Sequence, residues 1–250
     1  NGTMRADGWN RIPLIRMTNI NLEPGEWTLD QMIADTEEGV FHILARGNNK
    51  QKIFLSADDF AAYKSFLQKL KDEHPFKLYH YCLMTNHIHL IIETNQKTDL
   101  SRFMKRLNLV YYNYYRKQYG YAGHFWQDRF KSLLISKDEY LIACGLYIER
   151  NPVKVKIVDS PRLYKHSSYS YYAYGQKDDL VAADPVYEGL ASGEKNRQVA
   201  YRNLMLDETL GITEKTFKRL FLGPEAFVCA MERRFGVKNI RLSVGRPKDN

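Results

Sequence analysis

Two histidines separated by one residue, His87 and His89, are the first residues of this chain whose types and spacing point to chemistry. They lie in an apolar run that favours a β-strand, and in a strand residues two apart point to the same face of the sheet. The imidazoles would then lie side by side, with Ile88 and Leu90 directed into a core. Paired imidazoles bind Mn, Zn, Fe, Ni or Cu, and bind Mg when oxygen ligands complete the shell. A pair of structural or exposed histidines fits the pattern equally well, so both interpretations stay open.

A second pattern places Tyr147 and Asn151 four residues apart in a predicted helix. Side chains at that spacing share one helix face. A phenol and an amide on one face could supply a nucleophile and a third, hard metal ligand. Alternatively, Tyr147 is simply one of 18 tyrosines and packs in a core, and Asn151, which precedes Pro152, caps the helix end.

Together the two patterns would form a centre for phosphodiester chemistry. A metal ion held by two histidines and an amide polarises a phosphodiester as a Lewis acid. It also activates a phenol, which is a poor nucleophile at its free pKa of about 10. Attack by Tyr147 would form a phosphotyrosine and release a hydroxyl group, so the bond could be rejoined without a nucleoside triphosphate. The sequence agrees, since it contains no GxxxxGK[ST] phosphate-binding motif.

The elements that must position these residues follow a regular order from Gly39 onwards. Alternating apolar residues predict strands, and capping residues followed by helical apolar spacing predict helices. The order strand-helix-strand-strand-helix-strand is that of a ferredoxin-like split βαβ antiparallel sheet, so we predict an α+β fold with a small helical C-terminal extension. The predicted strands are 40–45, 78–84, 87–93 and 130–135, and the predicted helices begin within 56–59, 99–101 and 136–139.

Composition limits the class of protein. With 250 residues, 44% hydrophobic and 26% charged, the chain is neither disordered, collagenous nor a coiled coil. No apolar run approaches the roughly 18 residues of a membrane helix, and the sequence opens without a secretion leader. Three distant cysteines without CxxC spacing argue against a disulfide framework and favour a reducing cytoplasm. A net charge of +8 with many aromatic residues fits either a nucleic-acid partner or an ordinary basic enzyme.

Five stretches along the chain resemble the motifs of a known family, in the family's order. They are 41–50 (FHILARGNNK), 81–90 (YCLMTNHIHL), 123–132 (GHFWQDRFKS), 147–154 (YIERNPVK) and 167–169 (SSY). Through them, residues 39 to about 175 resemble the HUH single-tyrosine transposases, especially the REP-associated tyrosine transposase branch. The resemblance divides the chain into an N-terminal segment 1–38 that is foreign or poorly structured, an HUH tyrosine transposase catalytic domain 39–175, a helical extension 176–240 with helices near 195–206, 213–222 and 224–235, and a basic tail 241–250.

The resemblance implies a transposase or strand transferase that cleaves and rejoins single-stranded, hairpin-forming DNA through a 5′-phosphotyrosine. Carried over, His87 and His89 are metal ligands, Tyr147 is the nucleophile, and Asn151 is the third ligand, at a position that varies between Gln and Asn. The cofactor would be Mg²⁺ or Mn²⁺. The expected partner is single-stranded or hairpin DNA, with no membrane, and the protein would act as a monomer or homodimer in the bacterial cytoplasm, associated with the nucleoid.

Basic residues on the same stretches are candidate phosphate contacts, although each one taken alone also fits a solvated surface charge. Each Lys or Arg that neutralises a phosphate steepens the salt dependence of binding. The loop 124–126 (HFW) could hold an unpaired base or be structural. The candidate phosphate contacts are Arg46, Lys50, Arg129, Lys131, Arg150 and Lys154.

Four alternatives remain beside the transposase hypothesis. The first is a catalytically inactive protein that binds hairpin DNA, and the second is an HUH nickase of the replication-initiator type. The third follows from residues 4–38, which resemble a fragment of a TldD/PmbA-type metallopeptidase; the HExxxH motif of that family is absent here, so we expect a gene fusion rather than a peptidase. The fourth is a zinc hydrolase that adds Glu93 to the histidine pair.

Overall fold

A computed structural model of the protein describes residues 38–207 and 212–239. Within these ranges a five-stranded sheet carries helices on both faces, in a mixed α+β arrangement. The predicted N-terminal segment 1–38, apart from its last residue, and the basic tail 241–250 lie outside the described residues. The elements are β1 (Val40–Arg46), α1 (Ala57–Glu73), β2 (Lys77–Met84), β3 (His87–Glu93), α2 (Leu100–Tyr119), β4 (Lys131–Ile135), α3 (Glu139–Lys154), α4 (Tyr169–Tyr174), α5 (Pro185–Glu188), α6 (Glu194–Leu206), β5 (Phe221–Leu222) and α7 (Glu225–Phe235), with 3₁₀ turns at Asn48–Lys50, Pro161–Leu163 and Glu214–Lys218.

The strand order in the sheet is β2-β3-β1-β4-β5. The central strand β1 pairs antiparallel with β3 and with β4, and β2 pairs antiparallel with β3. The first four strands therefore have the arrangement of a split βαβ sheet, which confirms the predicted fold class. In the β1–β3 register, Leu44 lies opposite His89 and Arg46 lies opposite His87, so both histidines lie near the same end of the central strands.

The side-chain alternation of β3 separates two cores. Ile88 and Leu90 are fully buried in the core beneath α1 and α2, as predicted. Ile91, on the opposite face, belongs to the core that includes Cys144 and Ile148 of α3. His87 and His89 share the face of Ile91 because residues two apart in a strand point the same way. The histidine pair therefore lies on the side of the sheet that α3 covers.

Local sequence signals account for the helix starts. Ser56 and Asp59 form a capping box at the start of α1, where each side chain accepts a hydrogen bond from the other residue's backbone N–H. The carboxylates of Asp99 and Asp138 cap α2 and α3 by accepting hydrogen bonds from the backbone N–H groups of Arg102 and Tyr140. Helix α3 continues two residues beyond Pro152, which lies in its last turn.

The C-terminal part differs in one element from the sequence prediction. The helix expected over 213–222 is a 3₁₀ turn followed by β5, which pairs parallel with β4, Phe221 opposite Leu134 and Leu222 opposite Ile135. Short apolar runs fit helix and strand patterns equally well, and the open edge of β4 decides in favour of a strand. The helices predicted near 195–206 and 224–235 are present as α6 and α7. Among the described residues, no helix is both long and apolar enough to cross a membrane.

Candidate active site

The histidine pair forms the centre of the candidate site. The ring centroids of His87 and His89 are 4.8 Å apart, and the rings are nearly perpendicular. His87 is half-buried and His89 is buried. Strand β3 places both rings on the face that α3 covers, which is the side-by-side arrangement expected from their spacing.

Each histidine is held through its Nδ1 atom. His87 Nδ1 donates to Asn86 Oδ1 at 2.6 Å, and His89 Nδ1 lies 2.7 Å from His42 Nε2. Outer hydrogen bonds of this kind fix the tautomer and orientation of a metal-binding histidine. The Nε2 atoms of His87 and His89 are therefore the ones left to act as ligands.

Helix α3 brings Asn151 against this pair. Asn151 Nδ2 lies 3.2 Å from His89 Nε2. An amide nitrogen only donates, so His89 Nε2 accepts this bond and carries a lone pair, while its Nδ1–H donates to His42. The contact joins the last turn of α3 to β3 and places the amide beside the imidazole nitrogen expected to bind metal.

Both imidazoles are neutral at physiological pH. Burial, with a smaller contribution from Arg46, lowers the pKa of His87 to about 4. Burial also lowers the pKa of His89 well below its usual value, helped by His87, His42 and Arg46. A histidine must be neutral to bind a metal ion, so the environment keeps both rings in the binding form.

The donor set fits a divalent metal ion that acts on a phosphate. His87 and His89 offer two imidazole nitrogens and Asn151 offers an amide, so the set carries no charge. Among residues 38–207 and 212–239, no three His, Cys, Asp or Glu side chains lie close enough together to hold a metal ion. An uncharged set leaves the charge of the ion to be balanced by a substrate phosphate.

Tyr147 lies on the same helix, half-buried beside Lys154 and Phe217. The Lys154 ammonium lies 4.0 Å from the centroid of the Tyr147 ring, and the Phe217 ring centroid lies 4.7 Å from it. Burial, followed by the negative charge of Glu214, raises the pKa of Tyr147. The phenol is therefore protonated at neutral pH and needs activation before it can act as a nucleophile.

Two residues of the site were missed by sequence reasoning, His42 and Phe217. The Phe217 ring lies 4.5 Å from the ring of His42 and 6.4 Å from that of His89, so it joins the metal-ligand side to Tyr147. The signal for His42 was a polar residue within the apolar strand β1. Phe217 gave no local signal, because it reaches the site from the C-terminal part of the chain.

The candidate phosphate contacts separate into groups. Arg46, Arg129 and Lys131 line one small cavity of about 70 Å³ next to β1. Lys50 is exposed in the 3₁₀ turn after β1, and Lys154 lies over Tyr147. The guanidinium of Arg150 instead donates to the carbonyls of Leu204, Met205 and Asp207, so it caps the C-terminal end of α6.

A buried charged network fixes α3 behind the site. His80 of β2 lies 3.1 Å from a carboxylate oxygen of Glu149 on α3 and 3.0 Å from one of Asp184, and all three side chains are fully buried. The Tyr201 hydroxyl donates to the second oxygen of Glu149 at 2.7 Å. Burial alone would lower the pKa of His80, but its hydrogen bonds to Asp184 and Glu149 raise it to about 9. The imidazolium therefore ties the helix that carries Tyr147 to the sheet and to the segment before α5.

A glycine allows this close approach. A Cβ atom on Gly145 would lie 2.6 Å from Cε1 of the His80 ring, and that ring is held by two hydrogen bonds. Only a residue without a side chain lets α3 pack against His80 at this distance.

Glu93 does not belong to the histidine site, so the zinc-hydrolase alternative is wrong. In the β1–β3 register Glu93 lies opposite Val40, at the other end of β3 from His87, which lies opposite Arg46. Its carboxylate is engaged by Tyr79, Lys77 and Lys137.

Comparison with known proteins gives matches of different extent. Residues 36–151 match the sequence model of the family described as "Transposase IS200 like". A solved REP-associated tyrosine transposase bound to a REP hairpin is 20% identical, with a TM-score of 0.48, over 59% of this chain and 87% of that one. A putative transposase from Deinococcus radiodurans R1 is 12% identical, with a TM-score of 0.34, over 49% of this chain and 87% of that one.

One curated relative belongs to another class. Metalloprotease MJ0996 of Methanocaldococcus jannaschii is 41% identical over 46 residues, which are 18% of this chain and 10% of that protein. The chain thus spans about a tenth of the length of this relative, in agreement with the short metallopeptidase-like segment noted in the sequence.

The match to the transposase family model is much longer, and it includes His42, His87, His89, Tyr147 and Asn151. Residues 36–151, the segment that carries the histidine pair, Tyr147 and Asn151, are therefore similar to the IS200-like transposase family.

Proposed function

We propose that this transposase is a metal-dependent strand transferase that cleaves and rejoins single-stranded, hairpin-forming DNA, with Tyr147 as its nucleophile. The observation that carries the proposal is the meeting of α3 with the histidine pair. Asn151 lies against His89, and Tyr147, one helical turn before it, joins the same cluster through Phe217. The arrangement supports phosphoryl transfer because it combines a nucleophile with an uncharged set of metal ligands.

His87, His89 and Asn151 would hold Mg²⁺ or Mn²⁺ through their Nε2 atoms and the amide oxygen. When bound, the ion supplies Lewis-acid polarisation of the scissile phosphate. His42 and Asn86 keep the two imidazoles in the tautomer that leaves Nε2 unprotonated. Arg46, Arg129 and Lys131, which line one cavity beside the site, would bind the phosphates that flank the cleaved bond.

The proposed reaction is a reversible exchange of phosphodiester bonds. The Tyr147 hydroxyl oxygen loses its proton and forms a bond to phosphorus, the bond from phosphorus to the 3′ oxygen breaks, and the 3′ oxygen takes up a proton. The products are a 5′-phosphotyrosine and a free 3′-hydroxyl. Attack of a 3′-hydroxyl on the phosphotyrosine rejoins the strand and returns the proton to Tyr147. Lys154, which lies over the ring, would stabilise negative charge that develops on the phenol.

The experiment that tests the proposal is cleavage of a labelled single-stranded hairpin library with Mg²⁺ or Mn²⁺. We expect a covalent protein–DNA adduct that is lost in Tyr147→Phe and in the presence of a chelator. Tyr140→Phe is the matched control, because it makes the same change on the same helix and should keep the adduct. Hairpin binding without an adduct would contradict the proposal and favour an inactive binding protein, whereas nicking without rejoining would favour a replication-initiator type of nickase.

A further inference from the structure

A cavity of about 810 Å³ lies between α2 and the loop 120–130 that precedes β4. Its volume falls in the range of about 300 to 1,000 Å³ that is typical of small-molecule sites. Tyr112, Phe125 and Trp126 supply aromatic walls, and Lys105 and Arg129 supply positive charge. The catalytic scheme proposed above makes no use of the aromatic residues.

The aromatic walls are held in place. Phe125 is buried, and its ring centroid lies 5.8 Å from that of Tyr112 and 5.1 Å from that of Trp126. Trp126 is half-buried, and its indole N–H donates to the Asn108 carbonyl at 3.0 Å. Fixed aromatic rings with part of their surface open to solvent are the features on which unpaired bases stack.

The cavity lies at the same end of β1 as the candidate active site, on the side of the sheet that α2 covers. The loop is tied to β1 and the turn after it, since Gln127 N–H donates to the Arg46 carbonyl and Asn48 N–H to the Phe125 carbonyl, both at 2.8 Å. Arg46 lies opposite His87 in the sheet, and Arg129 lines both this cavity and the smaller one that Arg46 lines. Arg129 therefore connects the two cavities along a path that a DNA strand bound at Arg46 could follow.

We propose that this cavity binds one unstacked base of the single-stranded DNA that flanks the cleavage position. Trp126 and Tyr112 stack on the base, and Lys105 and Arg129 bind the adjoining phosphates. The inference rests on the proposed function in taking single-stranded DNA as the substrate. Two cations, Lys105 and Arg129, outweigh the carboxylate of Asp128 at the rim, and this charge favours a nucleotide over an apolar protein side chain.

The test follows the fluorescence of Trp126. The chain has three tryptophans, so a Trp9→Phe, Trp27→Phe protein reports on Trp126 alone. The added Tyr147→Phe substitution prevents cleavage during the titration. We expect (dT)₁₂ to quench this fluorescence with saturation, whereas a blunt 12-bp duplex leaves it unchanged. Equal quenching by the duplex, or single-strand binding without quenching, would overturn the proposal.

A charge placed at the cavity provides the second measurement. Leu109 is 53% exposed, so Leu109→Glu should fold and weaken (dT)₁₂ binding at least tenfold. Val199→Glu is the matched control, since Val199 is 46% exposed on α6, and it should leave binding unchanged. Lys105→Ala should lower the slope of the logarithm of the binding constant against the logarithm of the salt concentration by the amount that corresponds to about one phosphate contact. If Leu109→Glu binds (dT)₁₂ with unchanged affinity, the proposed base-binding site is overturned.

Adduct formation, measured separately in the Trp9→Phe, Trp27→Phe protein that retains Tyr147, distinguishes the two proposals. An adduct without quenching overturns only the base-binding site. Saturable quenching without an adduct supports the base-binding site and overturns only the proposed chemistry.

Discussion

His42 lies outside the proposed set of metal ligands but contacts one of its members, His89. Its Nε2 atom accepts a hydrogen bond from His89 Nδ1, and its ring stacks on that of His89 with centroids 5.0 Å apart. The bond selects the tautomer of His89 that offers Nε2 to a metal ion. We therefore propose that His42 is a positioning residue that acts through His89.

At the scale of this residue, we expect His42→Ala to weaken Mn²⁺ binding by about 10- to 100-fold, which is the usual cost of losing an outer partner of a metal-binding histidine. His42→Gln should restore part of the affinity, because its amide oxygen can still accept from His89 Nδ1. The measurement is calorimetric titration with Mn²⁺, together with adduct formation as a function of metal concentration. If His42→Ala binds Mn²⁺ as tightly as the unsubstituted protein does, the positioning role is ruled out.

The sequence indicated the residues of the site that have local patterns, and missed those that depend on distant contacts. Spacing alone places His87 and His89 on one strand face and Tyr147 and Asn151 on one helix face. His42, by contrast, gains its role only from the β1–β3 register, and Arg150, whose side chain caps α6 in the structure, cannot be told from a surface cation by its sequence.

At the scale of the element, α3 is the helix that must be held accurately, since it carries both Tyr147 and Asn151. The His80–Glu149–Asp184 network holds it from behind through residues 69 and 104 positions apart in sequence. Such a network has no sequence pattern because its members are far apart in the chain. The strand β5 was predicted as helix for the same reason, since its two residues pair with the edge of the distant strand β4. Nonlocal contacts of this kind lie beyond what periodicity can predict.

Removing the imidazole from this network should destabilise the fold strongly. His80→Ala leaves the buried carboxylates of Glu149 and Asp184 without their charged partner, which costs about 3 to 5 kcal/mol of unfolding free energy. Denaturant unfolding at pH 7 measures this loss. A loss below about 0.5 kcal/mol, the range of ordinary surface substitutions, would contradict the role of the network.

The same network predicts a pH dependence of stability. The groups that face His80 are Glu149, Asp184 and Tyr172, and Tyr201 donates to Glu149. The pKa of His80 is about 9 in the folded protein and about 6.5 in the unfolded chain. The stabilisation that His80 contributes is therefore fully present below about pH 6.5 and is lost as the pH rises through about 9. The stability difference between the original protein and His80→Ala should therefore shrink over this window. His74→Ala, which removes another buried histidine, is the control, and its stability should still decline as the pH rises through this window.

At the scale of the whole molecule, one chain supplies every part of the candidate site. Asn151 contacts His89 of the same chain, and Phe217 of that chain joins the histidine side to Tyr147. A mixture of Tyr147→Phe and His89→Ala proteins should then form no adduct, because each copy lacks one essential part. Strong recovery of adduct on mixing would instead show that copies exchange α3. Tyr140→Phe mixed with His89→Ala is the control, and it should retain the activity of its intact copy.

The fifth strand has a consequence for the order in which the molecule is built during translation. The histidines, Tyr147 and Asn151 leave the ribosome well before β5, and folding starts on the part already synthesised. Until residues 221 and 222 emerge, the edge of β4 keeps open backbone groups, and Phe217 has only just become available to pack beside Tyr147. The candidate site is thus completed late. A nascent chain that already carries His87, His89, Tyr147 and Asn151 does not yet hold them in the arrangement that we propose cuts DNA.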